Sequence, residues 1–516
     1  MTQNDNKNGR LIIVDPSLKD TRGHHYTLTS VIADSAISSG FDVIVFSNRS
    51  VDNLFAIAGA TIKPVFSMST YDHFKLIRKK SKMSLKDKLR YAAFSHIPEP
   101  IKIFLKRIRS KFKISLAKVG VPITRNTGVM SGDIVNELLG ALLEENVTSD
   151  DHVLVHTADA IIYRSILQLI QKKYPLGEHP CYHLCTPYDM RIMPHAAEGL
   201  PVERVINYLC LMGVINHKVF LYAENELLAD SLTRDWRVNV STLDIPMRKI
   251  QLGASEKYHD ESVFRVVYLG AAREEKGFHF LPDVVEAVTR QIDNDFRIVF
   301  VIQCSPQIVG YTSKIEATIK KLQKYPNDSV KLIMKQQSMD EYHAALANAD
   351  VVLLCYQQEN YRVRGSGIAV EAVANGKNII TTPGTYPQWL AGEAGISATG
   401  SKEIAAAILT IAKNQDAYIR KAKNRAEWFF EKTIPSGYVN KLLAKESMAG
   451  KVTADTNDAA DSKLHHDEEA KQTLYKKDIN ITSQDDTNHE NKYNAELCEA
   501  VVSDDGKVLF VKQISH

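Results

Sequence analysis

Two stretches constrain the fold of this 516-residue chain: residues 265–276, RVVYLGAAREEK, and residues 364–377, RGSGIAVEAVANGK. In the first, Val266, Val267, Tyr268 and Leu269 make a short apolar run of the kind buried in a parallel sheet. Gly270 ends it. Phe278, Leu281, Val284, Val285 and Val288 then fall on one face of a following helix. Strand, tight turn and helix in this order belong to an open α/β sheet, whose ligands bind at the carboxyl ends of its strands. Arg273 and Lys276 are predicted at such an end. An Arg holds two phosphate oxygens and a Lys adds a compact charge. A solvated charged turn is the alternative reading of the same residues.

The second stretch narrows the choice. Asp350 precedes another apolar run, Val351–Leu354. Gly365, Ser366 and Gly367 then open a helix whose free N–H groups attract an anion. Glu371 lies about one turn further in, too far for phosphates and well placed for ribose hydroxyls. Gly376 ends that helix, and residues 378–382 return as a strand. A basic turn, a glycine loop and a following acid, in this order, describe a pocket for a diphosphate joined to a ribose. The alternative is an ordinary helix with a glycine start and one surface glutamate.

The chain resembles the GT-B glycosyltransferases, closest to the retaining enzymes of glycosyltransferase family 4, over residues 11–444. LIIVDP leading into GHHYTLTSVIADSAISSGFDVIVFS is similar to the family's first strand, glycine loop and helix. FLYAENELLADSL and LDIPM resemble the strand, helix and interdomain crossing segment. YLGAAREEKGF and SGIAVEAVANGKNIITTPGT resemble the donor-binding half, and these two are the specific matches. The resemblance implies two Rossmann-like domains facing across a cleft. An acceptor domain would span 1–245 with a basic insertion at about 70–125, and a donor domain 246–447. A polar tail, 448–516, would follow. Arg273 and Lys276 would neutralise the leaving nucleotide diphosphate. Gly23, Arg364, Gly365, Ser366, Gly367 and Glu371 would hold the donor, with no metal or other cofactor. His156 ends a strand in VHTADA and is expected to point into the cleft as a third catalytic residue. The family has two glutamates about seven residues apart. Glu371 matches the second, and Val363 stands at the place of the first.

The implied activity is transfer of a sugar from a nucleotide sugar to a glycan or lipid-linked acceptor, with retention, in cell-surface polysaccharide synthesis. Two alternatives stay open: another GT-B enzyme such as a sugar-nucleotide epimerase, and a non-catalytic scaffold, the latter prompted by Val363. A phosphorylase would carry a pyridoxal lysine site, which the motifs do not show.

Composition sets the surroundings. A formal net charge of +3 gives no overall nucleic-acid character. No apolar run reads as a signal peptide or a bilayer span. The six cysteines, mostly in apolar runs, suit reduced core thiols in a cytoplasmic protein. Residues 75–125 hold 16 Lys and Arg against two acids, interleaved with Ile, Leu and Phe. Such amphipathic basic segments lie on anionic membranes, so peripheral attachment to the inner face of the plasma membrane is expected. A solvated insertion and a nucleic-acid patch are the weaker readings. From about 448 the chain turns polar and reads as disordered, closed by a hairpin where SDDGK separates AVV from VLFV. Cys181, His183 and Cys185 share one strand face at metal-ligand-like spacing, but a buried strand explains them better.

Overall fold

The computed structural model describes residues 9–21, 23–52, 56–69, 72, 128–172, 178–190, 200–250, 262–291, 297–304, 312–335, 337–433, 437–442, 498–502 and 508–512. Contacts divide the chain into one compact unit, Met1–Ala449, and a second, Gly450–His516.

The first half of the larger unit alternates strands with helices. Its strands are β1 (Arg10–Val14), β2 (Asp42–Asn48), β3 (Ala60–Phe66), β4 (His152–Val155), β5 (Cys181–Thr186), β6 (Val219–Ala223) and β7 (Ser241–Thr242). Its helices are α1 (Gly23–Ser38), α2 (Gly128–Glu144), α3 (Ala160–Gln171), α4 (Val202–Leu211) and α5 (Glu226–Trp236). The strands form a parallel sheet in the order β3-β2-β1-β4-β5-β6-β7. Both faces are covered, as all-parallel sheets require. Ile12 and Val14 enter one apolar cluster, while Leu11 and Ile13 enter another on the opposite face.

The second half repeats the plan. Its strands are β8 (Val263–Tyr268), β9 (Arg297–Gln303), β10 (Val330–Ile333), β11 (Val351–Leu354), β12 (Asn378–Thr381) and β13 (Gly395–Ser397). The helices are α6 (Leu281–Thr289), α7 (Ser313–Leu322), α8 (Met339–Ala347), α9 (Gln358–Tyr361), α10 (Gly367–Ala374), α11 (Tyr386–Ala391), α12 (Gly400–Lys413) and α13 (Gln415–Lys432). The parallel order is β10-β9-β8-β11-β12-β13. Val266 and Tyr268 face one cluster, Val267 and Leu269 the other.

In each sheet the strand order reverses beside its first strand, between β1 and β4 and between β8 and β11. Loops leaving the carboxyl ends of strands diverge at such a reversal and open a crevice. The chain then returns to its first half. Lys432, at the end of α13, pairs with Glu226 and with Asp244 after β7, each at 3.0 Å. Tyr438, Val439 and Leu442 pack with Leu11, Ile13 and Tyr222 on the first sheet.

In the second unit, β14 (Cys498–Val502) and β15 (Val508–Lys512) form the expected antiparallel hairpin around SDDGK. The basic segment 75–125 and the tail 448–497 lie outside the described residues. Cys181, Cys185, Cys304 and Cys355 are buried free thiols, but Cys210 is exposed on α4.

Candidate functional site: two strand-order reversals

The turn after β8 is shaped by a contact that admits no side chain. Gly277 has φ +73°, and a Cβ there would stand 2.1 Å from the Cys355 carbonyl oxygen. This close approach joins the β8 turn to the end of β11. Arg273 and Lys276 therefore come beside the 364–367 loop, as the sequence predicts. Arg273 Nη1 lies 3.3 Å from Glu275 Oε1, and Arg364 Nη1 lies 3.9 Å from the same oxygen. Arg273 Nε is a buried donor with no partner among the described residues. Buried polar groups are almost always paired, so this donor is poised for an acceptor. Lys276 Nζ sits 5.4 Å from the centre of the Tyr356 ring. Burial, reinforced by Arg273 and Arg364 and opposed by Glu275 and Glu371, lowers the Lys276 ammonium to about 8.

Glu371 lies on α10 as predicted, and Tyr342 of α8 donates its hydroxyl to the carboxylate. Burial outweighs the Tyr342 hydrogen bond and the nearby Lys276, raising Glu371 to about 7. Ser366 is the N-cap of α10, its Oγ accepting from Ala369 N at 3.4 Å and lying 3.3 Å from the Tyr356 hydroxyl. The space beside Gly367 is open.

Gly365 is closely approached by Glu224, a residue that follows β6 in the first half. Sequence pattern hides this contact, because Glu224 merely precedes Asn225, the N-cap of α5. A Cβ on Gly365 would fall 1.9 Å from Glu224 Oε1, so only glycine permits the approach. Val363 packs against the first-half core, and its carbonyl accepts from Asn225 Nδ2 at 3.0 Å.

The first sheet brings its own polar group to the facing reversal. Asp15, just past β1, accepts from Thr29 Oγ1 at 3.2 Å and lies 2.9 Å from His25 Nδ1 and 3.3 Å from His156 Nε2. Burial would raise this carboxyl, but His25 and His156 hold it well below the ordinary range. His156 is a correction to the sequence reading. It is 2% exposed rather than open to the cleft. Its Nε2 is bonded to Thr29 and its Nδ1 to Thr157 Oγ1, at 2.9 and 2.8 Å. His24, by contrast, is exposed and lies within electrostatic reach of Lys276 in the other half. Gly23 opens α1, directly after the β1 loop. Asp15 carries no motif of its own; only its place at the end of an apolar strand singles it out.

His183 is engaged through both ring nitrogens, by His152 and by the Tyr222 hydroxyl, each at 3.2 Å. Among the described residues no group of three or more His, Cys, Asp or Glu is arranged to hold a metal ion.

No protein-family model matches the sequence, and no curated protein does. Solved structures do. Sucrose-phosphate synthase from Thermosynechococcus elongatus superposes with a TM-score of 0.53 at 11% identity, covering 86% of this chain and 100% of its own. The α,α-trehalose 6-phosphate synthase of Burkholderia multivorans gives 0.56 at 12% identity, over 87% of this chain and 98% of its own. The E. coli trehalose-6-phosphate structure bound with UDP-2-fluoro glucose gives 0.54 at 12% identity, over 85% and 98%. The chain has the GT-B fold. These GT-B neighbours share the two Rossmann-like parallel sheets. At such identities the likeness is one of fold, and it does not single out the family-4 type that the motifs resemble.

Proposed function

We propose that this GT-B protein is a nucleotide-sugar-dependent glycosyltransferase. The observation that carries the reading is the cationic group Arg273, Lys276 and Arg364 at the second sheet's strand-order reversal. The orphaned Arg273 Nε and the hydrogen-bonded Glu371 belong to the same pocket. Cations there match a diphosphate, and the carboxylate one helical turn away matches the two hydroxyls of a ribose. The fold is shared with a structure bound with UDP-2-fluoro glucose, which supports the same assignment.

In this reading the nucleoside diphosphate leaves as an anion. Arg273 and Lys276 stabilise the developing charge within a partly dehydrated pocket. This reading needs no metal, because Arg273 and Lys276 would supply the positive charge at the leaving group. The half up to 245 takes the acceptor and 246–447 holds the donor, with Gly23 among the residues assigned to the donor. The finer assignment follows the family-4 resemblance: retention at the anomeric carbon, and a glycan or lipid-linked acceptor in surface polysaccharide synthesis. The enzyme would work in the cytoplasm at the membrane face.

The test is a thermal-shift series with UDP, GDP, ADP, CDP and dTDP, followed by hydrolysis assays of the matching nucleotide sugars. Stabilisation by one diphosphate, and turnover of its sugar conjugates, is the expected result. Absence of stabilisation by all of them overturns the reading.

A further inference from the structure

We propose that a cavity between α11 and the β12–β13 edge of the second sheet binds a neutral sugar residue, apart from the donor pocket. The cavity measures about 460 Å³ and is lined by Thr381, Gln388, Trp389, Gly392, Gly395 and Ser397. That volume falls within the range of about 300–1,000 Å³ of small-molecule sites. It lies under α11, whereas Arg273, Lys276 and Arg364 stand at the β8–β11 reversal, and none of those three lines it.

Strand register places the polar groups. Thr381 ends β12 and pairs with Ser397 of β13. Their neighbours Ile380 and Ile396 pack together on one face of the sheet. By strand alternation Thr381 and Ser397 turn to the other face, where Ile379 packs with Leu390 and Ala391 of α11. Thr381 is 0% exposed, and its hydroxyl has no partner among the described residues. Buried hydroxyls are almost always paired, and leaving one unpaired is costly. This one lines a cavity large enough for a ligand that would pair it. Gln388 Oε1 accepts from Gly384 N at 2.7 Å, which leaves its amide nitrogen as a donor. Trp389 adds an apolar wall. None of the six lining residues is charged, and the charged groups around them are engaged or open to water. Arg425, beside Gly392, donates to the Leu390 and Trp389 carbonyls at 2.7 and 2.9 Å. Lys432, over the Trp389 ring, pairs with Glu226 and Asp244. Glu393 is exposed. An anion would find no free cation here, and an apolar ligand would leave the Thr381 hydroxyl orphaned. A neutral sugar supplies both hydroxyl donors and acceptors and a C–H face for the indole wall.

The test is a ligand-observed NMR titration of the full chain with methyl α-glucoside, methyl β-galactoside, methyl α-mannoside, maltose and lactose. Saturable binding of at least one, with a dissociation constant on the order of 1 mM, is expected for a ligand of this size. Two variants locate it. Thr381→Val keeps the shape and removes the hydroxyl. It should melt at or above wild type, since it deletes an unpaired buried group, and bind the sugar about tenfold more weakly. Ser397→Tyr fills the cavity from an exposed edge position and should abolish binding. Wild-type protein that binds none of the five sugars overturns the proposal. So does unchanged affinity in both variants, because the sugar would then sit elsewhere. Tighter binding of glucuronate than of methyl α-glucoside overturns the neutral class, and a lowered melting point of Thr381→Val overturns the unpaired hydroxyl. None of these outcomes touches the nucleotide-sugar reading, which is judged by nucleoside diphosphate stabilisation of the wild-type protein.

Discussion

At the residue scale, the pocket's charges are set by burial, and this makes them sensitive to pH. Lys276 is lowered to about 8, so it is charged below that value and neutral above it. In the proposed pocket, donor binding through its charge should be present at pH 7 and lost as pH rises through about 8. Lys276→Ala should abolish this alkaline limb. Lys276→Ala and Arg273→Ala should each reduce nucleotide-sugar turnover by about a hundredfold, about 3 kcal/mol of leaving-group stabilisation. Near-wild-type turnover in both variants would refute the pocket assignment. Glu371 runs the other way. Its carboxyl is raised from 4.5 to about 7, so the folded state is favoured below 4.5 and that advantage is lost as pH rises through about 7. Glu371→Gln, which cannot ionise, should melt no higher than wild type at pH 4. It should gain on wild type as pH rises from 4.5 to about 7, while the donor KM rises. Melting curves across pH, read beside donor kinetics, test both effects. A variant with wild-type KM would reduce Glu371 to a helix charge.

At the scale of elements, the turn after β8 positions the cations through Gly277. Its left-handed backbone and its contact with the Cys355 carbonyl both forbid a side chain. Gly400 has nearly the same φ, +74°, with nothing within 4 Å of a built Cβ. The pair isolates contact from conformation. Gly400→Ala should cost only the left-handed strain, about 1 kcal/mol. Gly277→Ala adds a clash with fixed backbone and should cost about 3 kcal/mol or more. Denaturant midpoints of the two variants measure the difference; equal midpoints would mean that the β11 loop yields freely. The need for Gly277 is not legible in the sequence, because the Cys355 carbonyl lies just past β11, far along the chain. The apolar runs of β8 and β11 and the glycine opening of α10 are legible, because each depends on residues within a few positions of one another.

At the scale of the whole molecule, Asp244 gathers Lys432 and Lys441 at 3.0 and 3.3 Å, tying the end of α13 and the returning segment to the connection after β7. Lys432 also lies over the Trp389 ring at 4.7 Å. These ties join the last helix of the second half to the first half. The basic segment 75–125 bears on where the proposed activity would take place. We propose that it carries the protein to anionic membranes, each Lys or Arg contributing about 1 kcal/mol near the surface. Co-sedimentation with phosphatidylglycerol vesicles should fall as salt shortens the Debye length to about 3 Å at 1 M. Replacing Arg107, Arg109, Lys111 and Lys113 by Glu should release the protein while leaving diphosphate affinity unchanged. Vesicle binding that ignores salt, or none at all, would leave the segment as a solvated insertion.

The sequence by itself determined the two α/β halves, the hairpin around SDDGK, and the placing of Arg273, Lys276 and Glu371 near the strand-order reversal of the second sheet. Those features follow from period-two and period-3.6 patterns and from turn residues, which report neighbours within one element. Tertiary structure alone decided that His156 is buried on Asp15 and Thr29, that Tyr342 donates to Glu371, and that Glu224 packs against Gly365. Asn225 and Val363 meet across 138 positions of sequence, and no local pattern encodes a contact of that span. Desolvation, which sets the charge of Lys276, Glu371 and Glu224, exists only once the two sheets have closed on the same crevice.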